Sequence, residues 1–124
     1  MNEALRATHF ERISDEKARQ MYDYLCDACD SREGGMTDPD QMLVADVAYA
    51  EQVKQLLMQD IAERGIGKER HNGRQVYWQD NKSLAHLRAY CDQQRKHLAE
   101  LKLTPGGRKA AAVEIDDGFD DFPD

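Results

Sequence analysis

Aromatic side chains make up only 7% of the chain, with a single tryptophan and three phenylalanines. That scarcity argues against a β-sandwich or barrel core, which draws on aromatic and β-branched residues, and favours helices. Long apolar runs are missing too: none approaches the roughly 20 residues that span a bilayer. The opening Met1-Asn2-Glu3-Ala4 lacks the basic and apolar regions of a signal peptide, so a cytoplasmic protein is expected. Cysteine is sparse and odd in number, Cys26, Cys29 and Cys91, which argues against a disulfide-stapled secreted domain and for free thiols. No glycine-rich phosphate loop is present: Gly65 and Gly67 lack a preceding strand and a following Lys-Ser/Thr, and Gly106-Gly107 precedes Arg108-Lys109. Carboxylates are plentiful but spread over helix faces and a tail, with no apolar pocket to raise one pKa as acid catalysis requires. The sequence therefore nominates no catalytic residue, no cofactor and no metal.

What the chain does have is charge, unevenly placed. Its net charge of −7 divides into −8 over residues 1–63, +7 over 64–112 and −6 over 113–124. Binding to phosphate depends on local Lys/Arg clusters rather than on the whole-chain sum, so a basic middle between acidic flanks marks a segregated partner surface. The competing explanation is that long helices merely show solvated faces of mixed sign. At 124 residues the chain fits one domain of modest stability, which assembly would reinforce.

Periodicity predicts a mainly α fold with three main helices, at about 14–29, 38–64 and 81–103. In the first, Ala18, Met21, Tyr22, Leu25, Ala28 and Cys29 form a stripe, with Ser14 as cap ahead of Asp15 and Glu16. Gly34-Gly35 supplies the reversal. Thr37-Asp38-Pro39-Asp40 opens the second helix, with a cap, a proline in the first turn and acids at the positive end of the dipole. Leu43, Val47, Ala50, Leu57 and Ile61 give it a stripe that Met42, Tyr49, Val53 and Leu56 broaden, and Gly65 ends it. Asn72-Gly73 between two extended runs predicts a β-hairpin over about 66–78, with both turn residues at positive φ. Val76, Tyr77 or Trp78 should then pack on a helix or a neighbouring subunit, because an isolated hairpin is marginal in water. In the third helix Leu84, Leu87, Cys91, Leu98 and Leu101 read as a heptad seam with Gln94 at its one polar position. That seam pairs with the second helix within the chain, or Gln94 sets register between subunits. Thr104-Pro105 breaks the helix and can start a short one through Arg108 to Val113, followed by an acidic tail too polar to fold. The predicted organisation is one helical domain, residues 1–112, and a disordered tail, 113–124.

Cys26-x-x-Cys29 has no second metal-binding pair, and residues three apart share a helix face, so two buried core thiols explain it better than zinc. The candidate DNA contacts are Lys68, Arg70 and Arg74 on the hairpin, Lys82 at the start of the third helix, and Arg108 and Lys109 beyond its end. Residues 1–36 show no helix-turn-helix spacing and are acidic overall. In the tail, Phe119 and Phe122 among Asp116, Asp117, Asp120 and Asp121 suit a docking peptide. A solubilising tail, or one folded back on the basic segment, stands beside that reading.

Taken in order, these features resemble the phage terminase small subunit family over about residues 14–112. The resemblance rests on Tyr22 and Leu25, on Gly35-Met36-Thr37 with Asp40, on Gly65, on the Gly73 turn and Asn81, and most specifically on Leu103-Thr104-Pro105-x-x-Arg108. Where the family pattern has Asn-Pro before the third helix, this chain has Asn81-Lys82. The resemblance implies a non-enzymatic subunit in the cytoplasm of a bacterial host. It would assemble into a homo-oligomeric ring, bind double-stranded DNA at the viral packaging site and stimulate a separate large subunit holding ATPase and nuclease. Two rivals remain at this point: a helical protein adaptor docking through its acidic tail, and a small dimeric DNA-binding regulator.

Overall fold

The computed structural model describes residues 1–104. Four helices and one two-stranded antiparallel sheet follow in the order α1 (Glu3–Arg12), α2 (Glu16–Asp30), α3 (Asp38–Arg64), β1 (Gly67–Asn72), β2 (Gln75–Asp80) and α4 (Ser83–Glu100). None of these helices is long and apolar enough to cross a membrane. The predicted C-terminal helix and the tail, with Arg108, Lys109, Phe119, Asp120, Asp121 and Phe122, lie outside the described residues.

The first helix was not expected. Helix α1 buries none of its residues, so it carries no apolar stripe to read. Phe10 packs half-buried against the core, and polar anchors do the rest. The Asn2 N–H donates to Gln41 Oε1 (3.0 Å) while Gln41 Nε2 donates to the Asn2 carbonyl (3.0 Å). Arg6 bridges Asp23 and Asp27 on α2, each at 3.2 Å, and the terminal ammonium of Met1 lies 3.3 Å from Asp30. Of the expected caps, Thr37 forms a full capping box with Asp40 at the start of α3. At α2 the cap moves by one residue. Asp15 accepts from the Ala18 N–H (2.9 Å), and the Ser14 N–H and hydroxyl both donate to Gln52 Oε1, tying the α1–α2 junction to α3.

The core is a body made from α2, the N-terminal half of α3 and Leu101. Ile13, Ala18, Tyr22, Cys26, Cys29, Val44, Val47 and Ala48 are all fully buried there. Both thiols of the Cys-x-x-Cys are in this core, and burial pushes that of Cys26 up to about 11 and that of Cys29 upward, so they are protonated near neutral pH. Beyond Glu51 the architecture changes. From residue 52 to 93 the only buried residue is Ser83, and this stretch forms an arm of α3 and α4 with the hairpin at its tip.

Helix α4 pairs with α3 within the chain, as one of the two seam readings expected, and the seam departs from the expected one at Cys91, whose place Tyr90 takes. Ser83, Gln94 and Leu101 are buried and Leu87, Tyr90 and Leu98 half-buried, whereas Cys91 is exposed. The hairpin is also offset. Pairing of Asn72 with Gln75 makes Gly73-Arg74 the turn, and only Gly73 (φ 61°) takes positive φ, so β2 runs on to Asp80 instead of stopping at Trp78. A glycine at the first turn position is what a II′ turn requires. The shift moves register by two residues, so every side chain keeps its face.

Candidate nucleic-acid interface

At the base of the arm tip, α3, the hairpin and α4 are locked by one carboxylate. Asp60 accepts from Arg64 Nε (2.6 Å) and Nη2 (2.8 Å), Ser83 Oγ (2.7 Å) and Asn81 Nδ2 (3.1 Å). Asn81 also donates to the Gly65 carbonyl (3.0 Å) and accepts from the Ser83 N–H (3.0 Å), while its own N–H reaches the Ile66 carbonyl (2.8 Å). Asn81 is therefore the joint between three elements. Sequence reasoning missed Asp60, Arg64 and Ser83. The i,i+4 spacing of Asp60 and Arg64 was the available signal.

Donation from Arg64 first, then from Ser83 and Asn81, holds the Asp60 carboxyl far below its ordinary 3.8. A depressed carboxylate adds stability that is complete above the ordinary pKa and is lost as pH falls through the folded one. The joint is thus expected to be intact near neutral pH and to release the hairpin in strong acid. Asp60→Asn should lower the melting temperature near neutrality and have little effect in strong acid, by thermal melts at both pH values. An equal loss at both would overturn the assignment.

Above this joint opens a cleft of about 470 Å³ lined by Arg64, Gly67, Lys68, Arg70, Gln79, Asp80, Asn81 and Lys82. Strand alternation explains its cationic wall. Lys68 pairs with Gln79 and Arg70 with Tyr77, so these four point from one face of the hairpin, and Arg70 Nε donates to Gln79 Oε1 at 2.7 Å. The Arg64 charge is already met by Asp60. Lys68, Arg74 and Lys82 are exposed and make no ion pair among the described residues. Of the residues singled out from sequence, the structure brings Lys68, Arg70 and Lys82 to one cleft. Arg74 stands apart at the hairpin turn, 2 residues past Asn72, the last residue of β1.

The opposite face presents Glu69, His71, Val76 and Trp78, and neither Val76, Tyr77 nor Trp78 packs on a helix: they are 55%, 48% and 57% exposed. With Lys68 and Arg70 on one face and Glu69 on the other, the first is the better suited to phosphate even though Asp80 also lines its cleft. No curated protein and no solved structure gives a significant match to the chain. A family model described as phage terminase, small subunit, matches residues 18–117, most of the chain and all of α3, the hairpin and α4, and on that match the chain belongs to the phage terminase small subunits.

Proposed function

We propose that this protein is the non-catalytic DNA-recognition subunit of its packaging machine, acting in the cytoplasm of the bacterial host. It assembles into a homo-oligomeric ring, binds double-stranded DNA of the viral packaging site, and regulates the large subunit that carries ATPase and nuclease. The observation that carries the DNA contact is the arm-tip cleft with Lys68, Arg70 and Lys82 on its wall and no acid paired to either lysine among the described residues. Arg74 at the turn extends the cationic edge, and Arg108 and Lys109, which follow α4 in the sequence, are proposed as further DNA contacts. Family membership supports the large subunit as partner. The acidic tail, through Phe119, Phe122, Asp120 and Asp121, is the segment proposed to reach that partner.

Each phosphate contact releases counterions and contributes about 0.9 to the slope of log affinity against log salt on duplex DNA. Changing Arg70 and Arg74 together to Ala should therefore weaken duplex binding and flatten the salt dependence by up to about 2. Anisotropy titrations at several salt concentrations measure both. Unchanged affinity and slope would remove the hairpin from the interface. A native mass well above a tetramer supports the ring, whereas a monomer or dimer at every concentration favours an adaptor or a dimeric regulator.

A further inference from the structure

We infer that the Trp78 face of the hairpin docks on the outward face of α4 in a second copy of this chain. The inference deepens the self-assembly reading above and rests on it. Glu69 pairs with Trp78 and His71 with Val76, so these four share the face opposite the phosphate-facing one. Its apolar part is exposed yet already ordered. The Trp78 indole donates from Nε1 to Asp80 Oδ1 (2.6 Å) and lies against Gly67, where a Cβ would come within 2.7 Å of the ring. A large ring fixed in place before contact loses little entropy on docking, which is the property of an interface anchor. Among the described residues nothing covers it: every residue from Lys68 to Asp80 is exposed, and the arm buries only Ser83 between residues 52 and 93.

Charge selects the occupant. Glu69 and Asp80 rim this face, so phosphate is repelled, and so is the acidic body formed by residues 1–63 with its net −8. The surface that complements an acid-rimmed apolar patch is a cation-rimmed one with small residues at its centre. Helix α4 has one. Opposite the seam of Ser83, Leu87, Tyr90, Gln94 and Leu101, helical geometry places Ala85, Arg88, Ala89 and Lys96, all exposed. The alanines leave room for the indole, and Arg88 and Lys96 meet Glu69, Asp80 and the ring face. Asp92 lies on the same side but is ion-paired with Arg95. Because the two surfaces differ, the contact is head-to-tail, the kind that closes into a ring when the rotation allows. It also leaves Lys68 and Arg70 free for DNA.

Trp78 is the chain's only tryptophan, so its emission reports this contact alone. In the oligomer, emission should be blue-shifted and acrylamide quenching several-fold weaker than after dilution to monomer. Glu69→Arg and Arg88→Glu should each lower the oligomeric mass, and combining them in one chain should restore it. An oligomer in which Trp78 is quenched as readily as free indole, or in which neither reversal changes the mass, overturns the docking surface and leaves self-assembly standing. A chain that stays monomeric at all concentrations overturns self-assembly and this contact with it.

Discussion

Tyr22→Ala is expected to cost about 3–5 kcal/mol of folding stability, the range for removing a large aromatic from a packed core. Tyr22 is the largest fully buried side chain described and sits where α1, α2 and α3 meet: the His9 ring stands edge-on to it with centroids 6.2 Å apart. All the buried apolar residues of the core lie in the body, between Ile13 and Ala48, apart from Leu101, and the arm offers no second core to compensate. A domain of ordinary stability holds only about 5–15 kcal/mol in total, so this variant should be partly unfolded at physiological temperature. Urea denaturation followed by circular dichroism measures the loss. Tyr22→Phe keeps the ring and removes a buried hydroxyl that meets no hydrogen-bond partner among the described residues, so it should cost well under about 1.5 kcal/mol. If Tyr22→Ala also stays under that, the body's stability comes from assembly and not from this core.

The elements that bury an apolar stripe or carry a strong cap were legible in sequence, and those held by polar side chains were not. Helix α3 runs from Asp38 to Arg64 as read, because Thr37, Pro39 and Gly65 punctuate it by local chemistry alone. Helix α1 escaped because Asn2, Arg6 and Met1 hold it through partners 17 to 39 residues away, and no periodicity encodes such pairs. The hairpin was readable, but its turn was not, since Asn72-Gly73 and Gly73-Arg74 both offer a glycine at positive φ and the choice depends on pairing further along. The cationic face survived that error because the two registers differ by an even number of residues. Of Asp60's partners only Arg64, at i,i+4, could be read from sequence: the rest of its role exists only once the ends of α3 and α4 are brought together around Asn81. Cys91 was assigned to the seam on apolar character, whereas the helix turns Tyr90 inward in its place and keeps Gln94 in the seam as read.

Gln94→Leu, which gives the seam the leucine that its heptad pattern lacks, should destabilise the protein by about 1–3 kcal/mol, because it orphans buried partners. Gln94 Nε2 donates to the Val47 carbonyl (3.0 Å) and to Glu51 Oε2 (3.1 Å), and its Oε1 accepts from Lys54 Nζ (2.6 Å). Glu51 is 8% exposed and stays charged there. Burial pushes its carboxyl up, but Gln94, Gln55 and Lys54 together outweigh that and bring it below its ordinary 4.5. Removing one member strands the others, whereas removing the acid as well leaves the half-buried Gln55 and Lys54, whose side chain is 18% exposed and can carry its ammonium to water along an apolar stem. Glu51→Leu with Gln94→Leu is therefore expected to be neutral or to stabilise by up to about 4 kcal/mol, as buried polar groups replaced by packed apolar ones often do. A cycle of wild type, the two single variants and the double variant, each melted near neutral pH, reads the coupling directly. Since the folded carboxyl is depressed, the network's share is complete above 4.5 and fades as pH falls through the folded value, so the cost of Gln94→Leu alone should shrink in strong acid. Additive single losses, unchanged by acid, would mean that packing alone pairs α3 with α4 and that the polar network does not fix their register.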